Sequence, residues 1–78
     1  MAEPAQIEKV ITDSLITFGA DADQINRDAE LEALDIDSLD LAELSQIIEE
    51  QFGVELTSSD VAEIRTVGDA IDLVAERA

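Results

Sequence analysis

The residues of this chain best placed to take part in chemistry are Asp37-Ser38-Leu39-Asp40. Asp37 suits the N-cap of a following helix, and Asp40, three residues on, makes an acidic capping box with it. Both carboxylates complement the positive end of that helix. With Asp37 capping, Ser38 falls at the first helical position with no structural job, and its hydroxyl points outwards. The competing reading, in which Ser38 is itself the cap, is weakened by Asp37. The chain contains no His and no Cys. It therefore lacks the usual general base near neutral pH, a thiol nucleophile, a disulfide framework and a Cys/His zinc site. Nor is there a Gly-rich phosphate loop. Beside Asp37, Ser38 is a poor catalytic nucleophile, but it is a usable acceptor when another enzyme supplies the activation. No turnover by the chain itself is expected.

The elements that must position this serine follow from periodicity. Ile7, Val10, Ile11, Leu15 and Phe18 recur at helical spacing, so residues 3–18 read as a helix that Gly19 ends. A second helix is expected from Ser38 to Phe52, with Leu41, Leu44, Ile48 and Phe52 as its apolar stripe, Ile47 at the edge and Gly53 as the stop. Residues 19–36 form a long connection, anchored by Ile25, Leu31, Leu34 and Ile36. A short element is expected near Ser59–Ile64. A last helix opens at the Thr66-Val67-Gly68-Asp69 capping box, with Val67, Ala70, Ile71 and Val74 buried. No strand signal has a partner. The expectation is an all-α fold, a small four-helix bundle of three longer helices and one short one, with residues 1–78 as a single domain. On the helix wheel Leu39 lies opposite the buried stripe, beside Glu43, Gln46 and Glu50, as an exposed apolar contact among acids.

Charge narrows the partners. Asp plus Glu number 20 against 4 Lys plus Arg, a net charge of −16. The basic residues are Lys9, Arg27, Arg65 and Arg77, so none lies between Asp28 and Ile64. Such a polyanion repels phosphate backbones and anionic lipid, so neither nucleic acid nor membrane is expected as a partner, whereas basic protein surfaces complement it. The first residues carry one acid, Glu3, and no basic apolar leader, and no apolar run approaches the roughly 20 residues that span a bilayer. A cytoplasmic protein is expected. The 46% hydrophobic content is ordinary for a folded chain.

The segment from Leu34 to Leu44 resembles the Asp-Ser-Leu attachment motif of acyl carrier proteins, here Asp37-Ser38-Leu39. Three residues alone recur by chance. The context is more specific: the motif opens a second helix after a long loop, Glu49-Glu50-Gln51-Phe52-Gly53-Val54-Glu55-Leu56 follows, and Thr66-Val67 opens a last helix with Ala70-Ile71. The resemblance runs from Ile7 to Val74. It implies that a phosphopantetheinyl transferase moves 4'-phosphopantetheine from coenzyme A onto Ser38, with the terminal thiol then carrying acyl groups as thioesters. It also accounts for the missing Cys, since the reactive thiol belongs to the prosthetic group. By the same resemblance Asp37, Leu39, Asp40, Glu43, Glu49 and Glu50 meet basic patches on partners such as ketosynthases and acyltransferases, and the carrier acts as a monomer. The family offers an acyl pocket between helices, for which Leu44, Ile48, Ile64 and Ile71 are candidates, each equally well read as plain core.

The sequence departs from the family pattern in three places. Asp35 stands where Gly is common, Ser45 and Gln46 stand where apolar residues are frequent, and Thr57 replaces a frequent proline. Acyl cargo is favoured over aminoacyl or peptidyl cargo by Asp37 and by the acidity, while fatty acid, polyketide and specialised-lipid synthesis stay open. The reading from another class is an acidic adaptor or cation-binding protein. An EF-hand frame beginning at Asp21 has Ile25 and Asn26 at its fifth and sixth positions, and one beginning at Asp35 has Leu39 and Asp40 there, so both fail and no metal site is expected.

Overall fold

Each helix forms where the chain supplies a start signal. The structure, a computed structural model, describes residues 3–78. Helix α1 spans Pro4–Thr17, with Pro4 at a first-turn position where a missing N–H costs nothing. Helix α2 spans Ser38–Phe52 and ends at Gly53, whose φ of 69° is the left-handed conformation glycine adopts freely. Helix α3 spans Ser58–Glu63 and α4 spans Val67–Arg77. The expected all-α fold is observed, with helices of 14, 15 and 11 residues and a short one of 6. The only β pairing among the described residues is an isolated bridge between Glu30 and Thr66. The short element begins at Ser58 rather than Ser59, because Thr57 caps it, and Ile64 lies outside it as the C-cap.

One core joins α1, α2 and α4, with Ile64 entering it just past the end of α3. Ile7, Ile11 and Leu15 of α1 are fully buried, and α1 packs chiefly on α4 and more lightly on α2. Burying each such side chain is worth roughly 1.5–3 kcal/mol. The stripes expected on α2 and α4 face inwards: Leu44, Ile48, Val67, Ala70, Ile71 and Val74 are buried, with Leu41 and Phe52 packed at the margin.

The long connection is tied down by side chains and by backbone. Leu31, Leu34 and Ile36 are buried, and Ile25 packs against the same core. A 3₁₀ turn at Ala22–Gln24 shortens its first part. Its later part is hydrogen-bonded to the approach and start of α4. Leu31 N–H donates to the Arg65 carbonyl at 2.9 Å, Val67 N–H to Ala29 at 3.0 Å and Gly68 N–H to Arg27 at 2.9 Å. A Cβ on Gly68 would stand 2.9 Å from the Arg27 carbonyl oxygen, so that approach requires glycine. Arg27 also pairs with Asp72 of α4 at 2.6 Å, and this contact raises the pKa of its guanidinium.

Candidate functional site

The start of α2 is built as a capping box. The Asp40 N–H donates to Asp37 Oδ1 at 2.9 Å, and the Asp37 N–H donates to Asp40 Oδ2 at a longer 3.4 Å. The Asp37 carbonyl accepts from Leu41 N–H at 3.0 Å. Asp37 therefore does the capping and Ser38 is the first helical residue. Ser38 is exposed, and its hydroxyl makes no hydrogen bond to the described residues. The backbone N–H groups of Ser38 and Leu39 are left unpaired among the same residues. An uncommitted hydroxyl beside free N–H groups at a helix start can accept a phosphoryl group and tolerate its charge.

What holds this start in place is the buried end of the preceding loop. Ile36, two residues before Ser38, is in the core, and its N–H donates to the Leu31 carbonyl at 3.0 Å. Between the buried Leu34 and Ile36 the chain must reverse, and Asp35 takes a φ of +60° to do so. That conformation is open to glycine and tolerated by Asp and Asn among side-chain-bearing residues. Asp35 is thus a residue type that can take this turn while carrying a side chain.

Around the serine, α2 presents several faces. Leu39 is 79% exposed. At about 100° per residue it shares its face with Glu43, Gln46 and Glu50, and all three are exposed. Glu49 falls instead on the row of Ser38, Ala42 and Ser45, and Asp40 is half-buried and committed to the cap. The six acids and apolar residues expected at a docking surface are thus spread over more than one face. Leu39, Glu43 and Glu50 form the outward one.

Two clefts flank the start of α2. One, of about 350 Å³, lies between α2 and α3 and is bordered by Ser38, Ala42, Ser45, Leu56, Thr57, Ser58 and Val61. The other, of about 360 Å³, lies on the loop side and is bordered by Leu31, Ile36, Leu41, Ile64 and Arg65 among others. Of the expected pocket residues, Ile64 borders this second cleft. Leu44, Ile48 and Ile71 are closed inside the core and border neither. No group of three or more acids among the described residues is placed to hold a metal ion.

The sequence reading missed the clamp on α3. Thr57 and Asp60 form a capping box, with Asp60 N–H donating to Thr57 Oγ1 at 3.1 Å and Thr57 N–H to Asp60 Oδ2 at 2.9 Å. The T-x-x-D pattern that signals it was present. Asp60 is also a buried acid, gripped by the two terminal guanidinium nitrogens of Arg77 at 2.5 and 2.7 Å. These bonds, then the Thr57 N–H, hold its carboxyl far below the ordinary value and outweigh burial. The same contact raises Arg77. Asp69 is likewise lowered, first by the Arg65 N–H and then by that of Thr66.

Comparison with known proteins gives one consistent answer. A family described as "Phosphopantetheine attachment site" matches residues 13–74. A protein of Nitratidesulfovibrio vulgaris named "Acyl carrier protein" is 40% identical over 99% of this chain and 99% of its own length. Proteins of the same name from Solidesulfovibrio magneticus and Chlamydia caviae are each 38% identical, over 99% and 91% of this chain and 96% and 90% of their own.

Proposed function

The chain belongs to the acyl carrier protein family, a family of carriers rather than catalysts that hold phosphopantetheine, and on that basis we propose that Ser38 is the residue that takes the group. The observation that carries this reading is the Ser38 hydroxyl itself, exposed and unbonded one residue past the Asp37 cap. A phosphopantetheinyl transferase would supply the base and the coenzyme A. The serine oxygen displaces the adenosine bisphosphate end of coenzyme A and keeps the phosphopantetheine as a phosphodiester. Bound there, the group supplies the thiol that this Cys-free chain lacks and carries acyl chains as thioesters. The chain's own residues hold the attachment point: Asp37 and Asp40 fix the helix start, and Ile36 and Leu34 fix the loop behind it.

Leu39 with Glu43 and Glu50 then forms the surface that ketosynthases, acyltransferases and the transferase meet through basic patches, Asp37, Asp40 and Glu49 adding to the field. On this reading residues 1–78 act as one monomeric, cytoplasmic carrier of acyl intermediates for fatty acid, polyketide or other lipid synthesis. No helix among the described residues is long and apolar enough to cross a membrane. Charge reversal, Glu50→Lys, is expected to slow modification and acyl transfer mainly through association, with the difference shrinking as salt rises. Equal rates at low salt would refute the docking role.

The test of attachment is an intact mass after incubation with coenzyme A, Mg²⁺ and a promiscuous phosphopantetheinyl transferase, with Ser38→Ala alongside. A gain of one phosphopantetheine in the wild type alone is expected. A gain in both, or in neither when the starting serine is shown to be unmodified, overturns the assignment.

A further inference from the structure

We propose that Arg77, the last residue of α4, is a positioning residue for the Ser38 surface: its grip on Asp60 is the one bonded attachment that keeps α3 against the bundle. The proposal goes beyond the carrier reading, and only its enzymatic readout rests on Ser38 as the acceptor.

A helix of 6 residues does not hold itself together in water, where isolated helices shorter than about 12–15 residues are marginal. Its lateral attachments must stabilise it, and they are few. Of Ser58–Glu63 only Asp60 is buried, with Val61 half-buried. The nearest buried apolar anchors are Val54, ahead of the helix, and Ile64, just past it. The hydrogen bonds are as sparse. Within residues 54–64 the Val61 N–H donates to the Thr57 carbonyl, the Ile64 N–H to the Val61 carbonyl, and the Thr57–Asp60 capping box closes on itself. Among the described residues, the only hydrogen bonds that join this segment to the rest of the chain are the two from Arg77 to Asp60. The connection before α2, by contrast, is bonded to α4 through Arg27, Ala29 and Leu31.

The grip is two-pronged. Nη1 and Nη2 of Arg77 each meet a different oxygen of the Asp60 carboxylate, so the planar fork sets the orientation of α3 as well as its distance. The two side chains are 41% and 11% exposed, against 75% and 60% for the solvent-facing Lys9–Asp13 pair, and are correspondingly less screened. Asp60 Oδ2 also accepts from the Thr57 N–H at 2.9 Å, so one carboxylate both closes the cap of α3 and fastens it to α4. Thr57 and Ser58, at that cap, border one cleft with Ser38. An enzyme that closes over the Ser38 hydroxyl therefore lies against a wall whose place Arg77 sets. Where that wall is loose, binding must first order it, which weakens association and leaves the bound complex unchanged.

The experiment measures backbone hydrogen exchange of the unmodified chain, then steady-state modification by coenzyme A, Mg²⁺ and a promiscuous phosphopantetheinyl transferase. Arg77→Gln removes the grip and leaves the Thr57–Asp60 capping box. It is expected to speed exchange at the Val61 and Ile64 amides roughly ten- to hundredfold, the size of a charge-assisted hydrogen bond, while the amides of α1 and α2 keep their wild-type rates. Asp60→Asn, which retains an oxygen for the Thr57 N–H, should act alike, and adding Arg77→Gln to it should bring little further change. The KM for the carrier is expected to rise roughly twofold or more in Arg77→Gln, as when half the molecules have α3 detached, with kcat unchanged. Exchange that speeds equally in all helices makes Arg77 a general stabiliser and overturns the proposal, as does α3 exchange at the wild-type rate. Loosening confined to α3 with KM unchanged overturns the positioning role at Ser38. Absence of modification in the wild type overturns Ser38 as the acceptor, a failure the exchange measurement does not share.

Discussion

Helices α2 and α4 open with the same local device, yet only one of the two starts is available for chemistry. Each has a cap residue whose side chain accepts from the N–H three positions on, and an aspartate there that reaches back. At α4 every early N–H is spoken for: Val67 donates to Ala29, Gly68 to Arg27, Asp69 to Thr66 Oγ1 and Ala70 to the Thr66 carbonyl. Val67 and Gly68 are buried under the loop that supplies those carbonyls. At α2 the Asp37 side chain satisfies Asp40 and the Asp37 carbonyl satisfies Leu41, while Ser38 and Leu39 stay open to solvent. A capping box therefore specifies where a helix begins, and what covers that beginning decides whether it is structure or site.

The comparison breaks most visibly at Gly68. Gly68→Ala drives a methyl into the Arg27 backbone carbonyl, which a rigid loop cannot readily yield. A loss of about 1–3 kcal/mol is expected in urea unfolding, against less than about 0.5 kcal/mol for Ser38→Ala. Similar losses at the two positions would mean that both starts are structural.

The caps come next. Thr66→Ala and Asp37→Ala should each cost about 1 kcal/mol of stability. They should differ in modification: with Asp37 gone, Ser38 is free to become the cap and its hydroxyl is engaged, so phosphopantetheine transfer slows. Thr66→Ala should leave the transfer rate, measured by mass, at the wild-type level while the protein is folded. Slowing by both variants alike would erase the distinction.

A smaller effect sharpens the contrast between the two loops that lead into these helices. Asp35 bears a side chain at a φ of +60° just before the α2 cap. Asp35→Gly is expected to raise stability by about 0.5 kcal/mol, the relief of a strained conformation less the entropy glycine brings to the unfolded chain. A loss of stability would show that the Asp35 carboxylate makes a contribution larger than its backbone strain.

A pH-dependent effect concerns the wall of the cleft beside Ser38. Asp60 has a folded pKa below its ordinary 3.8, so its contribution is complete above that value and fades as pH falls below it. The stability gap between wild type and Asp60→Asn should be constant from pH 7 down to about 5 and close progressively below about 4. A gap that does not change with pH would remove the ion pair with Arg77 as its cause.

Much of the site is legible in the amino-acid sequence. Asp37 as cap, Ser38 as the spare first residue, Leu39 facing out and the buried faces of α2 and α4 all follow from spacing within a few residues, where a 3.6-residue period and a capping box are local rules. The departure at Asp35 is visible there too, although its cause, a left-handed residue between two buried anchors, is not.

The remaining features join distant parts of the chain. Asp60 meets Arg77 across 17 residues and Arg27 meets Asp72 across 45. The hydroxyl-bordered cleft exists because α3 lies against the Ser38 face of α2 rather than elsewhere. By itself the sequence determined where each helix starts and which of its faces is apolar, because those depend on neighbours along the chain. Only the tertiary structure decided which helix start is covered, which hydroxyls share a cleft and which acid is clamped, because those depend on which surfaces meet when a single core closes.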